Sequence, residues 1–144
     1  MNLTVTSGEL VLFYSGDLLC GLDLSHIREI NRNLDIARVH RAPDYVRGVL
    51  NLRGQLLTII DLRRKLNLEP AEIHEQMRVL VVRREEGEVG LLVDQVVDIV
   101  PVDAEDLELP PANLSGVEGS FFCAVYTMEN DLAAVLDLGR VLEK

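Results

Sequence analysis

The sequence predicts a mainly β protein: two small barrel-type β-units sharing an apolar seam, with short helices only. Three observations carry this. Four pairs of short apolar runs are each joined by turn residues, only two segments carry a helix-start signal, and the two halves of the 144-residue chain faintly repeat each other.

In chain order, Glu9–Tyr14 and Leu18–Asp23 flank Ser15-Gly16-Asp17, the first hairpin signal. Ala42-Pro43-Asp44-Tyr45 reads as a tight turn or single helical turn, and Gly48 permits close backbone approach at the entry to a strand. Val49–Leu52 and Leu56–Ile60 then flank Arg53-Gly54-Gln55. Alternation there places Val49, Leu57 and Ile59 inward and leaves Arg47 and Arg53 projecting from the turns. Asp61 precedes LRRKL as the N-cap of a short helix. Val79–Arg83 and Val89–Val93 flank the turn Glu85-Glu86-Gly87-Glu88. Val102–Gly119, with Pro110, Pro111, Gly116 and Gly119, is the longest connection. Phe121–Met128 and Leu132–Leu136 flank Glu129-Asn130-Asp131, and Asp137 caps LGRVL.

The repeat has two offsets. Gly21-Leu22-Asp23-Leu24 matches Gly90-Leu91-Leu92-Val93 at 69 residues, with Ile27 and Ile30 on Val96 and Ile99. Ile60-Asp61-Leu62 matches Leu136-Asp137-Leu138 at 76 residues, with Arg64 on Arg140 and Leu66 on Leu142. The second copy therefore holds about seven extra residues, which fit in the Pro-rich connection. Units of this size are marginal alone, so they are expected to intertwine as one domain, over about 9–66 and 77–144.

Composition excludes several classes. The net charge is −10, and all of it lies in residues 73–144, which hold five basic and fifteen acidic side chains. That half repels a phosphate backbone, so no nucleic-acid partner is expected. No apolar run approaches the roughly 20 residues of a membrane span, and the N-terminus has no secretory pattern. Cys20 and Cys123 read as small buried thiols in a reduced compartment. His26, His40 and His74 have no ligand spacing, so neither metal nor cofactor is expected. No nucleophile elbow, phosphate loop or dinucleotide fingerprint is present, and no enzyme activity is expected.

Gly21-Leu22-Asp23-Leu24, Ile27-Arg28-Glu29-Ile30, Ala42-Pro43, Gly48-Val49-Leu50-Asn51-Leu52-Arg53-Gly54 and Ile60-Asp61-Leu62-Arg63 together resemble the signature of bacterial chemotaxis coupling proteins, the CheW family. Val89-Gly90-Leu91-Leu92-Val93-Asp94-Gln95-Val96 and Leu136-Asp137-Leu138 extend the resemblance to nearly the whole chain. One departure is Thr58, where the family usually has proline three residues before Asp-Leu-Arg. Without the proline, Thr58 is expected to pair more fully in its strand.

The resemblance implies two five-stranded SH3-like β-barrel subdomains and a non-catalytic adaptor. Such an adaptor joins the cytoplasmic tip of methyl-accepting chemoreceptors to the regulatory domain of a CheA-type histidine kinase. It is cytoplasmic, recruited to receptor arrays at the inner membrane without inserting. Carried over by position, the receptor-binding residues are Ile27, Glu29, Arg53, Gly90, Val96 and Ile99, with Arg47 on the groove rim. Arg53 is expected to pair with Glu29. The kinase-binding residues are not identified. Two alternatives within the resemblance are an adaptor of another chemosensory-type pathway, such as twitching motility, and a detached regulatory domain of a larger kinase.

Overall fold

The computed structural model describes residues 5–143. The chain runs through β1 (Glu9–Ser15), β2 (Leu18–Asp23), β3 (Ile27–Asn31), β4 (Val46–Leu52), β5 (Gln55–Asp61) and the one-turn helix α1 (Leu62–Lys65). It continues as β6 (Arg78–Val82), β7 (Val89–Val93), β8 (Gln95–Pro101) and the two-residue strands β9 (Leu107–Glu108), β10 (Asn113–Leu114) and β11 (Val117–Glu118). It ends in β12 (Phe122–Thr127), β13 (Leu132–Leu136) and the one-turn helix α2 (Leu138–Val141). One sheet has the order β8-β1-β2-β13-β12-β9, the other β3-β6-β7-β5-β4, and β10-β11 is a separate hairpin.

The repeat explains this order. β1, β2, β3, β4 and β5 correspond to β6, β7, β8, β12 and β13, and of these corresponding strands each sheet takes two from one copy and three from the other, with β9 added at the edge of one. Register agrees residue for residue. Leu12↔Gly21 in β1–β2 has its counterpart in Val81↔Gly90 of β6–β7, and the parallel pair Ile59↔Gly90 has its counterpart in Val135↔Gly21. Ile27↔Val82 matches Val96↔Phe13, with a register shift at the same place in both. Neither 9–66 nor 77–144 builds either of the two larger sheets by itself. The cause is local: β2 leads to β3 through Leu24–His26, and β7 leads to β8 through Asp94 alone. The one-residue link at Asp94 is too short for a hairpin turn, so β8 continues into the opposite sheet, and Leu24–His26 makes the matching crossing as a 3₁₀ turn.

Each continuous apolar run serves two of three cores. In β1, Leu10 and Leu12 enter a cluster with Leu19, Val102, Ala133 and Val135, while Val11 and Phe13 face the other way. In β6, Val79 and Val81 join Leu50, Leu57 and Ile59, while Leu80 and Val82 meet Phe13 and Val11 in the shared cluster. Both faces of these strands are buried, which is why they read as unbroken apolar runs. The helices are short because each is one capped turn: Asp61 accepts from the Arg64 N–H at 3.3 Å and Asp137 from the Arg140 N–H at 3.2 Å.

Several elements differ from expectation. β3 and β8 are strands the sequence did not announce: both mix apolar with charged residues and carry the register shift, which breaks alternation. In β4 the inward residues are Leu50 and Leu52, and Val49 lies opposite Thr58 on the half-exposed face. Thr58 pairs with Val49 in the regular part of the β4–β5 ladder, between the shift at Val46–Gly48 and the hairpin tip. The 102–119 connection holds a 3₁₀ turn, β9 and the β10-β11 hairpin, from which Val117 enters the shared core. Cys20 is buried, but Cys123 is exposed, because β12 turns it away from the core beside its register shift.

Candidate functional site

The β4–β5 hairpin closes on Arg53-Gly54, with Leu52 opposite Gln55. Both tip residues have positive φ, 50° at Arg53 and 87° at Gly54, the backbone of a two-residue primed turn. Glycine or asparagine normally fills the first of these positions, since a Cβ is unfavourable there. The Gly54 N–H donates to Asn51 Oδ1 at 3.0 Å, and the turn presents the Arg53 side chain outward, 62% exposed.

The turn brings Arg53 onto Glu29 of β3. Arg53 Nη2 donates to Glu29 Oε1, Arg28 Nη2 lies 3.0 Å from the same oxygen, and Asn31 Nδ2 donates to Oε2 at 3.1 Å. These donors, Arg53 foremost and then Asn31, hold the Glu29 carboxyl below its ordinary range. Arg28 also reaches Glu88 Oε2 at 2.5 Å, and Leu56, 73% exposed, lies beside this charged network near Gln55. Surface pairs of this kind contribute about 0–1 kcal/mol, so the network chiefly fixes geometry. The expected Arg53–Glu29 pair is therefore present.

The other expected residues divide. Ile27 is buried in the shared core, and Val96, its repeat counterpart, packs half-buried on the same cluster from β8. Ile99 is exposed on β8 with its neighbour Val97. Gly90 opens no surface: it sits in the central strand β7, and a Cβ there would come within 2.6 Å of Ile59 and Val79. Arg47 is not beside Arg53. It lies six residues away at the far end of β4, about 20 Å at strand rise, where its Nη1 reaches Asp61 Oδ2 at 3.2 Å and the Ala71 carbonyl at 3.1 Å. The register shift between Val46 and Gly48 turns it inward.

Sequence reasoning missed a partly buried ion pair. Arg63, just after the Asp61 cap, donates through Nε and Nη2 to both carboxylate oxygens of Asp94, with the Nη2 contact at 2.5 Å. Its two halves lie in separate quoted motifs, Asp61-Leu62-Arg63 and Val93-Asp94, which parallel pairing of β5 with β7 brings together. No signal in one sequence links them. Cys20 offers no nucleophile, since burial pushes its thiol far above the ordinary range, and partial desolvation together with the Asp137 charge raises Cys123. Among the described residues no group of three or more His, Cys, Asp or Glu side chains is arranged to hold a metal, and no helix is long and apolar enough to cross a membrane.

Comparison with known proteins agrees with this architecture. The model of the CheW-like domain matches residues 9–144. The chemotaxis protein CheW of Rhizobium meliloti is 34% identical over 140 residues, covering 97% of this chain and 90% of that protein. Protein PilI of Pseudomonas aeruginosa is 44% identical over 69 residues, covering 46% of this chain and 39% of that protein. Among solved structures, the scaffolding protein TtCheW from Thermoanaerobacter tengcongensis superposes with a TM-score of 0.86 at 23% identity, covering 95% of this chain and 88% of that one. The match of the family model along residues 9–144, with a relative 34% identical over nearly the whole chain, shows that the chain belongs to the CheW-like family.

Proposed function

We propose that this protein is a non-catalytic adaptor that couples the cytoplasmic tips of chemoreceptors to the regulatory domain of a CheA-type histidine kinase in chemotaxis. The observation that carries the reading is the CheW-like match over residues 9–144. Glu29, Arg53, Val96 and Ile99 contact the receptor tip, with Ile27 and Gly90 supporting them from beneath. An α-helical tip laid on the apolar residues of β8, with the Glu29–Arg53 pair fixing its orientation, suits a helix-in-groove mode. Arg47, engaged with Asp61, takes no part. The kinase domain docks elsewhere, through exposed strand ends. The protein works in the cytoplasm, recruited to receptor arrays at the inner membrane.

Titration of the purified protein against a receptor-tip fragment and the kinase regulatory domain, separately and together, tests this. Binding to each, and a ternary complex when both are present, is the expected result. Binding to neither overturns it. The likeness to PilI supports a second reading, an adaptor of another chemosensory-type pathway, which predicts binding only to the receptor and kinase of that pathway.

A further inference from the structure

We propose that Arg63 and Asp94 are positioning residues: their ion pair clasps the crossing between the sheets and sets the pose of β8, and with it Val96 and Ile99. The receptor-binding consequence rests on the adaptor reading above; the positioning of β8 does not.

Among the described residues the chain passes between the two larger sheets twice, at Leu24–His26 and at Asp94. The second crossing is a single residue, and it is held from several sides. Asp94 Oδ1 accepts from the Gly16 N–H at 2.9 Å, in the turn joining β1 to β2. Arg63 grips both carboxylate oxygens, from the turn that follows β5 in the other sheet. His74 Nε2 lies 3.5 Å from Oδ2, on the linker between the two repeats. The Asp94 N–H donates to the Tyr14 carbonyl at 2.8 Å, and Arg63 Nη1 to the Glu69 carbonyl at 3.0 Å. One residue thus ties the first sheet, the second sheet and the linker at the point where β8 begins.

The repeat supplies an internal control. At the equivalent crossing Ser25 stands in the place of Asp94, and Gly139 in the place of Arg63. There the carboxylate is Asp23, and it accepts from neutral donors: the backbone of Thr6, Ser7 and Ser25 and the Ser7 hydroxyl. That carboxylate is held without an ion pair among the described residues, the nearby Arg83 Nη1 donating instead to the Ser25 carbonyl at 3.2 Å. The Arg63–Asp94 pair is therefore an addition on the side that leads into β8, and not a demand of the architecture. Its side chains are 21% and 10% exposed, and a planar guanidinium bound to two oxygens resists rotation as an ammonium does not. Val96, two residues beyond, packs on the shared core, so a turn of the crossing moves it and the exposed Ile99 together.

Arg63→Lys keeps the charge and removes the fork; Asp94→Asn removes the charge. Both are compared with the parent protein by thermal melting, by methyl NMR of Val96 and Ile99 against Ile59 and Leu50, and by titration with the receptor tip and the kinase domain. In Arg63→Lys, the milder change, the Val96 and Ile99 methyl signals shift while those of Ile59 and Leu50 stay. Receptor-tip affinity falls about fivefold and kinase-domain affinity does not change. The proposal is overturned when the β8 methyls stay in place, or when all four residues move together in step with the melting temperature. A parent protein that ignores the receptor tip sinks the adaptor reading and leaves the methyl shifts to decide the clasp.

Discussion

At the scale of single residues, Arg53 shows a conflict between local preference and use. Its φ of 50° is a left-handed conformation that favours glycine or asparagine, yet the turn carries arginine and aims it at Glu29. Backbone strain of this kind marks positions whose side chain is needed. Arg53→Asn is therefore expected to keep or raise stability, by up to about 1 kcal/mol, while weakening receptor-tip binding; urea melts and a binding titration on the same sample check both. A variant that loses stability and binding together would make Arg53 a fold residue. The complementary test exchanges the charges: Glu29→Arg and Arg53→Glu each lose binding, and the double variant recovers part of it if the pair itself matters. Asp94 behaves differently. Burial alone would raise its carboxyl, but the Arg63 hydrogen bonds, the Gly16 N–H and the Arg63 charge outweigh that and hold it below the ordinary range. A carboxyl lowered on folding stabilises the protein above its unfolded pKa, about 4, and that contribution is lost as pH falls through the folded value. Asp94→Asn should thus be less stable by about 2 kcal/mol at pH 7, with the gap narrowing below about pH 4. Urea denaturation at pH 7, 5 and 3 reads this directly, and a gap independent of pH would contradict it.

At the scale of elements, what was legible in the sequence depended on whether a strand's pattern was local. The four hairpins announced themselves through turn residues between apolar runs, and the two helices through Asp61 and Asp137, because each signal lies within a few residues of what it specifies. β3 and β8 stayed hidden: each pairs with a hairpin of the other repeat, and the register shift in each ladder interrupts period-two alternation. The site shows the same division. Glu29 and Arg53 were expected to pair, and do; Arg47, expected on the groove rim, lies at the other end of β4 beside Asp61, and Arg63–Asp94 was invisible because it depends on parallel pairing 31 residues apart. Gly48 was readable for a physical reason. A Cβ there would collide with the Ala37 carbonyl, whose segment runs alongside β4 through mutual Ala37–Val49 hydrogen bonds, and its φ of 154° is one that side chains rarely adopt. Gly48→Ala should cost about 2 kcal/mol or more, measured as a lower urea midpoint, with the Ala37 amide losing hydrogen-exchange protection before that of Leu91. Unchanged protection at Ala37 would mean that the segment tolerates the added carbon.

At the scale of the whole molecule, the exchange of strands makes the two repeats depend on each other more than their length requires. The N-terminal copy keeps β1 and β2 in one sheet and β3, β4 and β5 in the other, so each of its parts needs strands of the other copy to complete its sheet. Copies that merely packed face to face could be separated at the cost of an apolar interface; here separation also removes the β3–β6, β8–β1, β5–β7 and β13–β2 ladders. The shared core draws Phe13 and Leu22 from one copy and Leu80 and Leu91 from the other. The linker between the copies, by contrast, is largely exposed from Asn67 to Gln76, so a cut there removes few interactions. Fragments 1–72 and 73–144, prepared separately, should each lack dispersed amide NMR signals and a cooperative melt, and should regain both on mixing at equal concentration. The recovered melting temperature should rise with total concentration, since association has become bimolecular. A fragment that folds alone as a cooperative monomer would show that a copy can close on its own strands, and that the exchange adds nothing to stability. The same mixture tests the charge division between the halves. The C-terminal fragment carries the whole net charge of −10 and the N-terminal fragment none, so reassociation driven by apolar burial should change little with added salt, whereas a dependence on charge attraction would weaken it steeply.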